Sequence, residues 1–248
     1  GSAVGEVVMA LDGAHVGYRS GAGDEGEEAL LALCGVSLAV RRGGVTGVVG
    51  AVGSGKSTLL LALLQELPLQ QGSAGVAARD PVAYLAQSPA VINGTIRDNV
   101  TFCEPYDEQR YEECLAAAML GPDLAILPAG DLTEAGERGV NLSGGQKARV
   151  AFARCLYHRE RASAVVMDDP FSAVDPPTAR HMWTQGVERL LTGHTVVIAL
   201  SSHLHLLEHA AHVVALDRAG SVAVQGKYSD VVAAGMVAAI EQDRVSFP

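Results

Sequence analysis

The stretch Gly50-Ala51-Val52-Gly53-Ser54-Gly55-Lys56-Ser57 fits the pattern G-x-x-x-x-G-K-[S/T]. It follows a short apolar run at residues 45–49 and opens a helical run at residues 58–67, so it joins a predicted strand to a predicted helix. In such a loop the glycines let backbone N–H groups curl around phosphate oxygens, and the helix adds the positive end of its dipole. Lysine neutralises the β- and γ-phosphates, and serine is a ligand for Mg²⁺. The predicted triphosphate-binding residues are Gly50, Val52, Gly53, Ser54, Gly55, Lys56, Ser57 and Thr58.

A second apolar run, residues 164–167, ends in the carboxylate of Asp168. A carboxylate at the end of a strand can hold Mg²⁺ beside a bound triphosphate. Taken alone, this run fits a metal ligand and an ordinary aspartate at the end of a strand equally well. Together with Lys56, however, it predicts the second half of a nucleotide site, in which Ser57 and Asp168 are metal ligands.

Short apolar runs recur between helical stretches, at residues 45–49, 164–167, 195–200 and 213–216. Runs that are apolar without alternation are typical of strands covered by helices on both faces. The sequence therefore predicts an α/β fold with a mainly parallel sheet.

Three further segments have local patterns. Residues 107–119 are predicted to be helical, with Gly121-Pro122 breaking the helix, and residues 229–240 are predicted to form a closing helix with Ser229 as its N-cap. Residues 19–28 are rich in glycine and acidic side chains, which indicates a solvated loop.

The composition excludes several classes of protein. The 248 residues carry 18 Lys+Arg against 28 Asp+Glu, a net charge of -10, and this acidity argues against a nucleic-acid partner because phosphate contacts need clustered basic residues. Apolar runs such as residues 231–240 stop short of the roughly 20 residues that span a bilayer, so a soluble chain is expected. The amount of apolar sequence is enough for one globular domain.

The cysteines and the N-terminus give weaker indications. The four cysteines lie far apart in the sequence without C-x-x-C spacing, which suits a reducing compartment better than a disulfide framework or a zinc site. Gly1-Ser2 is interpreted as a tag remnant, and residues 3–248 as a single domain that is a segment of something longer.

The pentapeptide Leu142-Ser143-Gly144-Gly145-Gln146 resembles the signature of ATP-binding cassette (ABC) proteins. With Gln87 before Ser88-Pro89, and Ser172-Ala173-Val174-Asp175 after the Asp168 strand, the resemblance covers nearly the whole chain. Residues 93–99 and 127–134 are similar to subfamily C, the multidrug-resistance-associated exporters, and most similar to their first nucleotide-binding domain. The resemblance implies a P-loop NTPase core, an antiparallel β-subdomain and a helical signature subdomain at about residues 89–158.

The resemblance also implies roles for residues outside the phosphate loop. Tyr18 matches the aromatic residue that stacks on adenine, and Gln87 matches the glutamine that reaches Mg²⁺ and senses the γ-phosphate. In the family, the segment after this glutamine contacts the transmembrane part of the transporter. Residues 133–136 match a second family segment that also contacts the transmembrane part. Two cassettes meet head to tail, so the signature residues bind the partner's ATP and Asp175 lies in a loop that crosses the interface. The signature residues are Leu142, Ser143, Gly144, Gly145 and Gln146.

Two positions depart from the family pattern. Active cassettes usually have a glutamate after the strand-end aspartate, where it polarises the attacking water, whereas this chain has Asp169. Losing one methylene displaces the carboxylate by about 1 Å, which can cost about 100-fold in rate. At the switch position the family usually has a histidine that contacts the γ-phosphate. If this chain is aligned to the family without a gap, Ser202 occupies that position. If the alignment is shifted by one residue, His203 occupies it.

These features predict ATP and Mg²⁺ binding with little hydrolysis, so weak or no ATPase activity is expected of the isolated domain. The partners implied are a second nucleotide-binding domain and the transmembrane domains of an exporter, with the isolated chain a monomer on the cytoplasmic face of a membrane. A cassette of a gated channel or regulator, and a soluble ABC ATPase, are the alternatives. The cargo cannot be read from these residues.

Overall fold

The computed structural model describes residues 5–18, 30–76, 81–136 and 142–246, so the loop predicted at residues 19–28 lies outside the described residues. The chain divides into two compact units: Gly1–Arg79 with Val197–Pro248, and Asp80–Val196. In the described ranges, no helix is both long enough and apolar enough to cross a membrane.

The strands and helices follow one another along both units. The strands are β1 (Val7–Tyr18), β2 (Leu30–Arg41), β3 (Gly44–Gly50), β4 (Gln71–Val76), β5 (Val82–Leu85), β6 (Gly94–Thr95), β7 (Glu134–Ala135), β8 (Ala164–Asp168), β9 (Thr195–Leu200), β10 (His212–Leu216) and β11 (Val222–Gly226). The α-helices are α1 (Lys56–Leu63), α2 (Ile96–Thr101), α3 (Glu108–Ala117), α4 (Gly121–Ile126), α5 (Gly144–Tyr157), α6 (Pro176–Met182), α7 (Tyr228–Ala233) and α8 (Met236–Ser246). A π-helix spans Trp183–Leu190, and 3-10 helices span Gly130–Leu132 and Leu204–His209.

The first unit contains an antiparallel sheet in the order β2-β1-β4. Leu11 of β1 lies opposite Leu38 of β2 and Ala74 of β4. Met9, Leu11, Leu38 and Val40 are buried, because alternate side chains of these long strands face the interior. The predicted antiparallel β-subdomain is therefore confirmed.

Most of the remaining strands form the predicted parallel arrangement, whereas β6 and β7 pair antiparallel in a separate two-stranded sheet. In the first unit β3 lies between β10 and β9, with Val48 opposite Val214 in a parallel register, and β11 adds an antiparallel edge to β10. In the second unit β5 and β8 also pair in parallel. Every residue of β8 and β9 is buried, as expected of strands without an exposed face. The predicted P-loop NTPase fold class is confirmed.

Helix α5 is the central helix of the second unit. It packs against α2 and α3, and Phe152 and Leu156 on its inner face are completely buried. Phe152 also contacts the ring of Phe171 edge to face. The predicted limits of the helical subdomain, about residues 89–158, remain a prediction.

The predicted closing helix is wrong in two respects. Instead of one helix capped by Ser229, the chain forms α7 and α8, separated by Gly235 at a φ of 74°. Glycine adopts this left-handed conformation without a steric penalty and so ends the first helix. Helix α7 begins after Lys227, whose N–H donates to Oδ2 of Asp230 at 2.8 Å. The acidic side chain three residues along thus marks the start of the helix, rather than the serine.

Gly186 tests the packing of α5 against the π-helix. A Cβ atom on Gly186 would lie 2.5 Å from Cζ of Phe152 and 3.4 Å from Cδ1 of Leu156. We expect Gly186→Ala to lower the free energy of unfolding by about 1–3 kcal/mol, because overpacking forces neighbouring side chains out of their preferred rotamers.

Urea denaturation of the 248-residue chain measures this loss. Gly121→Ala is the matched control, since a Cβ there meets nothing within 4 Å and the backbone has no positive φ. An equal effect of the two substitutions would show that the contact with Phe152 is not the cause.

Candidate functional site

The phosphate loop, residues 50–57, connects the end of β3 to the start of α1. Its backbone depends on glycine: Gly53 and Gly55 have φ values of 82° and 93°. A Cβ on Gly55 would also lie 2.5 Å from the carbonyl oxygen of Ala32, and one on Gly50 would lie 2.3 Å from Oγ of Ser54. The path of the backbone through this loop therefore requires glycine at these positions.

The side chains of this loop form a set of hydrogen-bond donors. Lys56 is 9% exposed, and its Nζ donates to the carbonyl oxygens of Gly50 at 2.8 Å and Ala51 at 2.9 Å. The hydroxyl of Ser54 is buried, and no described residue is its hydrogen-bond partner. Helix α1 starts without a side-chain cap from the described residues, so N–H groups of its first turn are left for another acceptor. An ammonium group, a hydroxyl and helix N–H groups around a glycine loop fit a triphosphate.

A cavity of about 460 Å³ adjoins the phosphate loop within the first unit. Besides residues 50–53, its lining includes Ser201, Arg218 and Asp243. The guanidinium of Arg218 forms an ion pair with Asp243 of α8. Sequence reasoning missed Arg218 and Asp243, since both lie far from the phosphate loop in sequence and no local pattern marks either one.

The two candidates for the switch position lie just after β9. Ser202 is 4% exposed, and its hydroxyl has no hydrogen-bond partner in the part of the chain that the structure describes. His203 has a φ of 55° and precedes the 3-10 helix, and its ring contacts that of His205 edge to face. The buried unpartnered hydroxyl makes Ser202 the better placed donor of the two, although its contact with a phosphate remains a prediction.

In the second unit, Asp168 is the last residue of β8 and Asp169 follows it, and both are buried. Burial, followed by the charge of Asp168, raises the pKa of Tyr84 on the neighbouring strand β5. Asp169 has a φ of 50°, and its carbonyl oxygen accepts from the N–H of Ser172 at 3.2 Å and from its hydroxyl at 3.0 Å. The backbone at Asp169 is thus held in a tight turn.

Gln87 and Asp169 line one cavity of about 330 Å³ in the second unit, together with Gly144 and Lys147. Gln87 is exposed and follows β5 by two residues. The structure therefore brings two predicted catalytic residues and the start of the signature helix to one place. Lys147 was not predicted, because a lysine in the exposed part of a helix has no distinguishing pattern.

The signature segment, residues 142–146, forms the start of α5. The Ser143 hydroxyl accepts from the N–H of Gln146 at 3.2 Å, and Oε1 of Gln146 accepts from the N–H of Ser143 at 2.8 Å. This reciprocal cap leaves the N–H groups of Gly144 and Gly145 with no acceptor among the described residues. Leu142 is buried, whereas Ser143 and Gly144 are exposed. The exposed N–H groups and hydroxyl can bind an anion.

The remaining predicted residues lie at the ends of secondary structure. Asp175 caps α6 by accepting from the N–H of Thr178 at 3.0 Å and from its hydroxyl at 2.7 Å, and these bonds lower the pKa of the carboxyl. Tyr18 is the last residue of β1, and its side chain lies outside the described residues. Contact of Tyr18 with adenine stays a prediction.

Comparison with known proteins identifies relatives of this chain. A family model described as ABC transporter matches residues 33–172. The chain is 40% identical to ATP-binding cassette sub-family C member 2 of Mus musculus over 79% of its length, and 42% identical to ABC transporter C family member 3 of Dictyostelium discoideum over 76%. It is 40% identical, over 83% of its length, to probable multidrug resistance-associated protein lethal(2)03659 of Drosophila melanogaster. These matches cover 12%, 13% and 14% of the relatives, so the chain spans a small part of each.

Lys56→Ala tests the phosphate loop. We expect the affinity for ATP to fall about 10- to 100-fold, because a charge-assisted hydrogen bond contributes about 1.5–3 kcal/mol and each 1.4 kcal/mol is tenfold in affinity. Isothermal titration of ATP into the 248-residue chain measures the change. Lys227→Ala removes the same charge from an exposed residue and serves as the control. Unchanged affinity in Lys56→Ala would exclude this loop as the ATP site.

Proposed function

The chain belongs to the ABC transporter family, and we propose that it is the ATP-binding module of a membrane exporter whose own site binds Mg-ATP but hydrolyses it slowly. Its signature segment would complete a faster site on a second cassette. The observation that carries this proposal is the buried aspartate at position 169, in the turn that follows β8 and in one cavity with Gln87. The multidrug-resistance-associated relatives support the assignment to an exporter.

Several oxygen atoms would hold the metal. The hydroxyl of Ser57, the amide oxygen of Gln87 and the carboxylate of Asp168 are hard donors of the kind that Mg²⁺ prefers. When bound, the ion would neutralise charge on the β- and γ-phosphates. Lys56 would contribute a second positive charge, and the buried hydroxyl of Ser54 would find an acceptor in a phosphate oxygen.

Slow hydrolysis follows from the length of the Asp169 side chain. A general base must come within hydrogen-bond reach of the attacking water, and an aspartate is one methylene shorter than glutamate. The backbone cannot easily move to make up for the shorter side chain, since the N–H and the hydroxyl of Ser172 both donate to the carbonyl oxygen of Asp169. An error of about 1 Å costs about 100-fold in rate.

Ser202 weakens the site in a second way. A serine hydroxyl donates one neutral hydrogen bond, whereas a histidine at this position could offer a charged donor. Because the Ser202 hydroxyl is buried and has no partner among the described residues, it could donate to the γ-phosphate without breaking a bond to any of them. Such a site would favour holding ATP over cleaving it.

The signature segment would act on the ATP of the second cassette. Gly144 and Gly145 offer two N–H groups, the hydroxyl of Ser143 offers a third donor, and the dipole of the 14-residue helix α5 favours an anion at that end. One chain could thus lack efficient hydrolysis at its own site and still support it at the other.

A groove of about 570 Å³ in the second unit would receive the transmembrane part. Its lining begins with β5 and continues through Ser88 and Pro89, the segment after Gln87 that the family resemblance assigns to this contact. Phe102 also lines the groove, is 41% exposed and has a left-handed backbone with a φ of 42°. An exposed aromatic ring held by such a backbone is suited to a partner helix on the cytoplasmic face of the membrane.

Asp169→Glu tests the proposed slow site. We expect the 248-residue chain to bind Mg-ATP with little turnover, and Asp169→Glu to raise the single-turnover rate by up to about 100-fold because the longer arm restores the position of the carboxylate. Quenched-flow measurement of phosphate release gives both rates, and Lys56→Ala exposes any contaminating ATPase.

Asp12→Glu is the matched control, since it makes the same change on an exposed strand residue. In the transporter that contains this chain, hydrolysis at the Lys56 site as fast as at the partner site would contradict the proposal. A rate unchanged by Asp169→Glu would show that the length of this side chain is not what limits turnover.

A further inference from the structure

The signature segment makes a contact outside itself, to a carboxylate that no sequence pattern marks. Nε2 of Gln146 donates to Oδ1 of Asp123 at 3.0 Å. The same Gln146 amide caps the helix, because its oxygen accepts from the N–H of Ser143. Asp123 therefore fixes the amide in the one orientation that presents its oxygen to Ser143.

The second oxygen of Asp123 has a different partner on the same helix. Nη2 of Arg149 donates to Oδ2 of Asp123 at 2.7 Å, and the two side chains are only 16% and 17% exposed. A charge-assisted bond in a partly buried place is stronger than one on the surface. Asp123 thus accepts hydrogen bonds from two residues of α5, Gln146 and Arg149, which lie three residues apart on one face of the helix.

Arg149 extends this contact to other parts of the proposed partner site. Its Nη1 lies 3.6 Å from where a Cβ of Gly145 would be, so the guanidinium lies beside the second signature glycine. Its charge also contributes, after the bonds from Thr178, to the lowered pKa of the Asp175 carboxyl. One ion pair therefore adjoins both the signature segment and the loop predicted to cross the interface.

We propose that Asp123 is a positioning residue, which holds Gln146 and Arg149 so that Ser143, Gly144 and Gly145 keep their donors aimed at the ATP of the second cassette. The inference rests on the proposed function. Without the carboxylate, the Gln146 amide can rotate, and the cap of α5 opens. Asp123 itself would not touch the nucleotide.

Amide hydrogen exchange on the 248-residue chain tests the positioning directly. In Asp123→Asn, a carboxylate oxygen is replaced by an NH₂ donor that cannot accept from Gln146 or Arg149, so one of the two bonds is lost. We expect the N–H groups of Ser143 and Gln146 to exchange about fivefold faster, as for a lost helix cap, while those in the middle of α5 are unchanged. Asp123→Ala, which removes both acceptors, should have the larger effect.

Asp131→Asn is the matched control for exchange. It removes one charge from an ion pair with Arg97 that has the same 2.7 Å length and lies in the same unit. Among the hydrogen bonds of the described residues, none joins Asp131 to Gln146. Equal exchange in Asp123→Asn and in the unmodified chain would overturn the proposal. Affinity for ATP in the isolated chain should remain within about twofold, because the signature segment is proposed to act on the ATP of the second cassette and not on the ATP that the chain itself binds.

Turnover by the two-cassette transporter that contains this chain tests the consequence. We expect Asp123→Asn to lower kcat about tenfold, Ser143→Ala to lower it at least as much, and the double variant to be no slower than Ser143→Ala alone, because the two residues act through one group. A loss with Ser143→Ala but none with Asp123→Asn would overturn the positioning role alone. No loss with Ser143→Ala would instead overturn the proposed function, and the inference with it.

Discussion

Both proposed anion sites depend on how a helix begins. The first N–H groups of an α-helix have no acceptor within the helix. Helix α1 starts after Gly55 in a left-handed conformation and without a side-chain cap, whereas α5 starts with the reciprocal cap of Ser143 and Gln146. The uncapped start suits a phosphate group that approaches closely, and the capped start keeps a defined pair of glycine N–H groups exposed. Strand β3 places the start of α1, because the phosphate loop connects the two directly.

Local chemistry explains why the first site could be predicted from the sequence. A positive φ at Gly53 and the close approach of Gly55 to Ala32 both require glycine, so the conformation of this loop can be recognised from the glycines in the sequence. Buried strands such as β8 and β9 likewise show themselves as apolar runs. The resemblance to the family extended these patterns to Gln87 and Asp175, which no local rule would have found.

Contacts between distant segments explain what could not be predicted. Asp123 lies 23 residues from Gln146 and 26 from Arg149, and Arg218 meets Asp243 across 25 residues. A charged residue does not indicate its partner in the sequence, because the fold determines which distant residue lies beside it. The helix break at Gly235 was missed for another reason: the alanines around it favour a helix, and the glycine ends one only by adopting a positive φ.

The turn after β8 connects the two proposed roles of this chain. A Cβ on Gly145 would lie 3.0 Å from the carbonyl oxygen of Ala173, so the signature helix packs closely on the backbone of this turn. The turn is held by Ser172 through the carbonyl of Asp169, and that bond does not involve the Asp169 carboxylate. A shorter side chain at position 169 can therefore weaken hydrolysis while the backbone that supports the signature keeps its shape. The two proposed roles, slow catalysis at the chain's own site and completion of the partner's site, would be separable because the first would depend on a side chain and the second on the main chain.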